Sequence, residues 1–165
     1  MTAEIGKLVA DLESSDAEVR AAAAEQLAQL GPDAAAVAVA VARAAGDADE
    51  SVSEYAVSAL EEMGPPGASQ VQGLADLVAH ENADTAYWAA TLLGRLGSEA
   101  AAVVAPLAAA LTASPHMNVR QRAAWALGKI GSGASAALDP LQAASGSDDP
   151  RLARLSTEAI QAIQG

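Results

Sequence analysis

The sequence predicts an all-α protein, an α-solenoid wound as a right-handed superhelix of about five helical hairpins. Three observations carry this reading. The first is composition: roughly a quarter of the residues are alanine, far above ordinary usage, while aromatics are 2% and phenylalanine is absent although 52% of the chain is hydrophobic. Alanine is the strongest helix former and a poor strand former, so the composition fits helices packed closely through small side chains. The second is an internal repeat of about 33 residues. The third is that the repeat's conserved-looking positions fall on one helical face.

The repeat is read directly from the chain. Residues 19–31 are VRAAAAEQLAQLG, 52–64 are VSEYAVSALEEMG, 85–97 are TAYWAATLLGRLG, and 119–131 are VRQRAAWALGKIG, with a weaker copy, LARLSTEAIQAIQ, at 152–164. Ala23, Ala56, Ala89, Ala123 and Ser156 form a small-residue column. Leu27, Leu60, Leu93, Leu127 and Ile160 lie four positions further on, and Leu30, Met63, Leu96, Ile130 and Ile163 three beyond those. That i, i+4, i+7 spacing is one face of an α-helix.

The elements follow in order. Hairpins are expected at about 2–31, 32–64, 65–97, 98–131 and 132–165, forming a single domain. Each has a first helix, at 3–12, 33–45, 67–79, 99–113 and 134–144, and then the repeated segment as its second helix. Gly31, Gly64, Gly97 and Gly131 are expected to end the second helices in the left-handed conformation. Pro32, Pro65 and Pro66 follow two of these stops. The turns Ser14-Ser15-Asp16, Gly46-Asp47-Ala48-Asp49 and Ser147-Asp148-Asp149 supply N-caps. Gly94 and Gly128 share one column and predict a close approach of neighbouring helices. The first helices at 34–45 and 100–110 are almost uncharged all round, which predicts close packing against the next layer, with a self-association contact as the alternative.

The pattern D-x-x-V-R-x-x-A-A-x-x-L-x-x-[LIM]-G, with Val104-Ala105-Pro106-Leu107 and Leu138-Asp139-Pro140-Leu141 in first helices, resembles HEAT repeats. More narrowly, it is similar to the short HEAT-like repeats of the phycobilisome-lyase type. The Val-Arg pair is intact at Val19-Arg20 and Val119-Arg120, whereas the middle copies have Val52-Ser53 and Thr85-Ala86. Many unrelated activities use such scaffolds, so the resemblance implies fold more than function. It implies a protein–protein interaction or scaffold module that holds a partner segment in its concave groove. The repeat subtype raises an alternative, a bilin-lyase-like accessory subunit or chaperone of a pigment protein.

Composition narrows the function classes. A net charge of −12 without a cluster of Lys or Arg argues against nucleic acid as partner. No cysteine is present, so disulfides, thiolate metal sites and Cys nucleophiles are excluded. The first residues, Met1 to Ile5, lack the basic region and apolar run of a secretory signal, and the apolar stretch 34–45 is too short to span a bilayer. A cytoplasmic protein without membrane association, monomeric or weakly self-associating, is expected. His80-Glu81 is a lone His-Glu pair and does not make a metal site, which needs several convergent ligands. His80 is expected to face a helix C-terminus, and His116 to border the groove. Neither a G-x-S-x-G elbow nor a phosphate loop occurs, so no enzymatic activity, cofactor or metal is expected.

In the family that the chain resembles, the second helices line the concave face. On that basis the inward-exposed positions are 17, 18, 21, 22 and 25 and their equivalents, a stripe one helical face wide. It holds every Tyr and Trp of the chain. The candidate partner-binding residues are Glu54 and Tyr55, then Asp84, Tyr87 and Trp88, then Met117, Gln121, Arg122 and Trp125, with Thr91, Arg151, Arg154, Leu155 and Glu158 on the same stripe. Tyr, Trp and Arg most often dominate interface energetics. Acidic groups occupy its N-terminal part (Glu18, Glu25, Glu50, Glu54, Asp84) and basic ones its C-terminal part (Arg122, Arg151, Arg154). This sorting fits a bound segment that is extended or helical, basic at one end and acidic at the other, and equally a solvated face. A packing role, filling the space that the alanine columns leave, is the alternative reading of the same aromatics.

Overall fold

The computed structural model describes residues 2–165. Its helices come in consecutive pairs: α1 (Thr2–Asp11) with α2 (Ala17–Gln29), α3 (Ala38–Ala44) with α4 (Glu50–Glu62), α5 (Val71–Leu77) with α6 (Ala83–Leu96), α7 (Val104–Ala113) with α8 (Met117–Ile130), and α9 (Leu138–Ala144) with α10 (Pro150–Gln164). No strand occurs among the described residues. The even-numbered helices make one layer and the odd-numbered helices the other, giving the expected α-solenoid. Tight 3-10 segments at Gly31–Val37, Gly97–Val103 and Gly131–Ala137 begin three of the first-layer stretches, which are therefore shorter as α-helix than the sequence predicts. They start on glycine with no side-chain cap, and the first turn closes instead with the tighter i→i+3 bonds.

The core lies between the layers and runs the length of the stack. Ala23, Ala56, Ala89, Ala123 and Ser156 are all buried, as are Leu27, Leu60, Leu93 and Leu127, while Ile160 is half-buried. Ser156 carries the one buried hydroxyl without a partner among the described residues, at a position where every other copy has alanine. Small side chains are required where backbones meet. A Cβ at Gly128 would lie 3.0 Å from the Ala159 Cα, and one at Gly46 would lie 2.6 Å from the Asn82 Oδ1. The alanine-rich first-layer helices are buried on one side only. Ala100, Val103, Val104, Leu107 and Leu111 pack inward, while Ala101, Ala102, Ala105 and Ala109 stay exposed.

Glycine with positive φ ends three second helices as expected, and at Gly97 and Gly131 it lies outside the α-type left-handed region. Gly97 has φ 57° and ψ −131°, and Gly131 has φ 71° and ψ −140°, close to a region that glycine alone occupies without strain. Gly31 also has positive φ, at 52°. Gly64 departs from the expectation: the helix ends at Met63 in extended geometry, φ −66° and ψ 132°, and Gly64 has no positive φ. The two prolines that follow explain the difference, because a residue before proline is pushed towards extended backbone and the chain leaves α4 without a turn-back.

A row of polar turns ties each hairpin to the next. Arg20 makes a two-pronged contact with Asp47 at 2.8 and 2.9 Å. Asn82 Nδ2 donates to the Gly46 carbonyl, the His116 ring meets the Glu81 carbonyl at 3.1 Å, and Gln121 donates to Asp149 at 2.9 Å. The caps come from the same turns: Asp16, Asp49, Asn82 and Asp149 each accept a backbone N–H of the following helix. The position after the Val column also has a defined task. Arg20 reaches the Ser14 carbonyl, Ser53 the Ala45 carbonyl and Arg120 the Leu111 carbonyl, so this side chain covers carbonyls left open at or just beyond the end of the first helix of its own hairpin. Where Ala86 stands there instead, the neighbouring Thr85 hydroxyl contacts the Arg43 carbonyl of the preceding hairpin.

One junction differs from the rest. α2 packs on α4, α6 on α8 and α8 on α10, whereas α4 and α6 do not approach each other in the same way. Arg95 of α6 bridges the gap, donating to the carbonyls of Leu60 (2.6 Å) and Met63 (2.8 Å) at the end of α4. It supplies from a neighbouring hairpin the satisfaction that a glycine turn gives elsewhere. The stretch 83–113 is long and apolar enough to cross a membrane by length and composition. It is nonetheless two helices separated by the turn at Gly97 and the 3-10 segment Gly97–Val103, and the longer, α6, has 14 residues against the roughly 20 that a span requires.

Two predictions follow from this backbone and this turn row. At Gly131 an added methyl finds its nearest neighbour at 3.9 Å, and at Gly64 none within 4 Å, so backbone conformation alone separates the two sites. Gly131→Ala should destabilise the protein by about 1–3 kcal/mol, and Gly64→Ala should be neutral or stabilise it by up to about 1 kcal/mol, both read by chemical denaturation. The hydrogen bond and charge of Arg20 hold the Asp47 carboxyl below its ordinary range. A carboxyl depressed in the folded state contributes stability above its unfolded pKa, near 3.9, and loses it as pH falls through the lower folded value. The melting-temperature gap between the native protein and Asp47→Asn should therefore be constant above about pH 5 and close below about pH 4.

Candidate functional site

The second-layer face of α6, α8 and α10 carries a cluster built on one guanidinium. Arg122 of α8 stands over the Tyr87 ring, 4.5 Å from its centroid, and over the Trp125 ring, 4.9 Å from its centroid. It also donates to the Tyr87 hydroxyl. Helical spacing explains the arrangement: Arg122 and Trp125 are i and i+3 on α8, while Tyr87 is presented by the adjoining α6. The Trp88 indole meets Tyr87 edge-on at 5.7 Å, and the Arg95 guanidinium lies 5.8 Å from the Trp88 centroid. Lys129, one turn beyond Trp125, lies 5.7 Å from its ring.

Trp125 owes its position to a glycine. A Cβ at Gly94 would overlap the indole, with Cε3 at 2.8 Å, so the ring of α8 lies directly on the backbone of α6. The expected close approach at Gly94 is therefore real, but it admits an aromatic ring from the neighbour and not its backbone. Packing and exposure are combined in the same residue: Trp125 is half-buried and still lines two depressions.

The first depression has a volume of about 240 Å³ and is lined by Tyr87, Asn118, Gln121, Arg122, Trp125, Arg151 and Leu155. The second, about 200 Å³, continues between α8 and α10 past Trp125, Lys129, Leu155 and Glu158. Trp125 and Leu155 are common to both, so the two make one groove. Arg122 has no carboxylate within salt-bridge distance among the described residues, whose ion pairs are Lys7–Asp11, Arg20–Asp47 and Arg154–Glu158. Burial pushes the Arg95 guanidinium below its ordinary value, and the like charge of Arg122 adds to the effect.

Of the residues singled out from sequence, Tyr87, Gln121, Arg122 and Trp125 come together in the first depression, with Trp88 beside them. Asp84 and Met117 are exposed at the starts of α6 and α8, at the edge of the cluster. Glu54 and Tyr55 lie on α4, across the wider junction, and line neither depression; Tyr55 is 37% exposed. Thr91 departs from the expectation of an exposed stripe position. It is 5% exposed, and its hydroxyl turns back to the Tyr87 carbonyl at 2.8 Å, as a short β-hydroxyl can within a helix. Arg95 and Lys129 join the cluster from outside the predicted stripe, at i+7 from Trp88 and i+4 from Trp125.

Both histidines serve the turn row. His80 stands just past the end of α5 with its backbone N–H on the Leu77 carbonyl at 3.0 Å, and its Nδ1 accepts the Asn82 N–H at 3.1 Å. His116 pairs with the Glu81 carbonyl and lines neither depression, so it does not border the groove as expected. No group of three or more His, Asp or Glu side chains converges as metal ligands among the described residues.

Gly94→Ala tests the seating of Trp125. The methyl should evict the indole, destabilise the fold by about 1–3 kcal/mol and red-shift its fluorescence, measured in a Trp88→Phe background. An unchanged emission maximum would contradict the contact.

Comparison with known proteins supports the architecture. No curated protein matches the sequence. Three solved structures are similar over nearly the whole chain. An engineered protein matches at 21% identity and TM-score 0.65, covering 97% of this chain and 79% of that one. A designed armadillo repeat protein in complex with the peptide (KR)4 matches at 19% identity and TM-score 0.63, covering 94% and 80%. The complex of CpcE and CpcF of phycocyanin lyase from Nostoc sp. PCC7120 matches at 23% identity and TM-score 0.64, covering 96% of this chain but 64% of that one. At such identities the likeness speaks for the fold alone. The HEAT-repeat family model matches residues 71–163, more than half of the sequence and the stretch from α5 through α10. The chain belongs to the HEAT-repeat family.

Proposed function

We propose that the protein is a non-catalytic binding module whose second-layer face holds a segment of a partner protein, with Tyr87, Trp88, Arg122 and Trp125 as anchors. The observation that carries this reading is the groove at Trp125. In a chain with 2% aromatics, three of the four large rings gather within one patch and stay partly open to solvent. Aromatic and arginine side chains held in place by their neighbours are the usual energetic centres of protein interfaces. Repeat stacks provide extended binding surfaces along their second helices, and the structurally similar designed armadillo protein holds a peptide.

The groove's mixed lining, with Gln121, Arg122, Lys129 and Arg151 beside Tyr87, Trp125 and Leu155, suits a polypeptide segment with both polar and apolar side chains. A chromophore-handling role, raised by the repeat subtype, is supported by the structural likeness to a phycocyanin lyase complex and by no feature of this groove.

Peptides selected from a displayed random library provide the test. Their affinity for a Trp88→Ala, Trp125→Ala double variant should fall tenfold or more, since loss of one anchor costs about 2 kcal/mol. Affinity equal to that of the native protein, measured by calorimetry, would remove the groove from consideration.

A further inference from the structure

The charge of the second layer is divided between its two ends. Helices α2 and α4 carry Glu18, Glu25, Glu50, Glu54, Glu61 and Glu62 against one cation, Arg20, which is already paired with Asp47. Helices α8 and α10 carry Arg120, Arg122, Lys129, Arg151 and Arg154 against one acid, Glu158, already paired with Arg154. The depression at Arg122 thus lies at the cationic end of a protein whose net charge is −12.

Its lining is prepared for an anion. A guanidinium has five N–H donors. Arg122 gives one to the Tyr87 hydroxyl, its Cζ lies over the Tyr87 and Trp125 rings, and no carboxylate of the described residues pairs with it. The two rings and the Tyr87 hydroxyl hold the group in place and leave N–H donors free, and a guanidinium's donors bind a carboxylate in a two-pronged manner. Asp149, which the lining residue Gln121 contacts at 2.9 Å, is engaged as the cap of α10 and accepts the Leu152 N–H at 2.6 Å. Asn118 uses its Oδ1 on the Val119 N–H, which leaves its amide hydrogens available, and Arg151 stands exposed at the rim.

Resting on the groove reading above, we infer that this depression takes the carboxylate of an aspartate or glutamate side chain presented by the partner segment, received by Arg122 with Arg151 as the second cation. A polyanion such as nucleic acid is disfavoured by the net charge of −12 and by Glu50, Glu54 and Glu61 on α4 of the same layer. The acid must be local, and the rest of the segment neutral or basic. This fixes polarity: the acidic residue lies over α8 and α10, and any basic residues over α2 and α4.

The test uses the intact protein and N-acetylated, C-amidated tetraglutamate and tetraglutamine, followed at low ionic strength by heteronuclear NMR of the tryptophan indoles and the Arg122 side-chain N–H. Tetraglutamate should shift Trp125 and Arg122 and weaken as salt is added. Arg122→Gln should reduce its affinity about tenfold or more, and Arg122→Lys should restore only part, because charge returns without the fork. Arg151→Gln, an exposed change that leaves packing intact, should weaken it by a smaller factor and guards against misfolding of the Arg122 variants. Equal binding of tetraglutamate and tetraglutamine at these indoles, or displacement by inorganic phosphate at the same concentration, would overturn the carboxylate assignment while leaving the peptide groove in place. If no peptide, including the library-selected ones, perturbs Trp88 or Trp125, the groove reading fails with it.

Discussion

The structure depends on how closely its helices can approach, and that distance is set by methyl groups and hydrogens. The columns at Ala23, Ala56, Ala89, Ala123 and Ser156 are fully buried, and at Gly128 even one added carbon would come within 3.0 Å of the neighbouring backbone. Because the contacts between layers are small, the leucines of the next column can reach the shared core, and each hairpin buries a face it could not bury alone. The low aromatic content follows from the same constraint: a large ring has no place inside such a stack.

That constraint explains why the few large rings gather where they do. Gly94 takes away the side chain on which Trp125 would otherwise collide, and the indole settles on the α6 backbone. Tyr87 and Trp88 arrive from the same helix, and Arg122 closes the group by stacking on two of the rings. The cluster is neither pure packing nor a free surface. Its inner edges hold α6, α8 and α10 in register, and its outer edges face a groove with an uncompensated cation.

The α4–α6 junction divides the stack into a regular C-terminal part and a less regular N-terminal one. The family model begins at residue 71, just past this junction, where the glycine turn is replaced by Gly64-Pro65-Pro66-Gly67. Arg95 joins the two parts by donating to the α4 carbonyls, and it does so from beneath Trp88, so junction and site share a side chain. The segregation of acids to α2 and α4 and of bases to α8 and α10 follows the same division.

The sequence by itself determined the repeat, the two-layer helical stack, the buried columns and the helices that bear the aromatics, because each is a matter of periodicity along one chain, which spacing alone expresses. It also placed Tyr87, Gln121, Arg122 and Trp125 on a common face. Only the tertiary structure decided which of those residues meet. That Glu54 and Tyr55 stand apart follows from the widened junction, that Thr91 is buried follows from a hydroxyl turning back on its own helix, and that Arg122 finds Tyr87 follows from the offset between α6 and α8. Such contacts depend on how far one helix slides along the next, and that is set jointly by Gly94, Gly128 and the turn row, with no single segment encoding it.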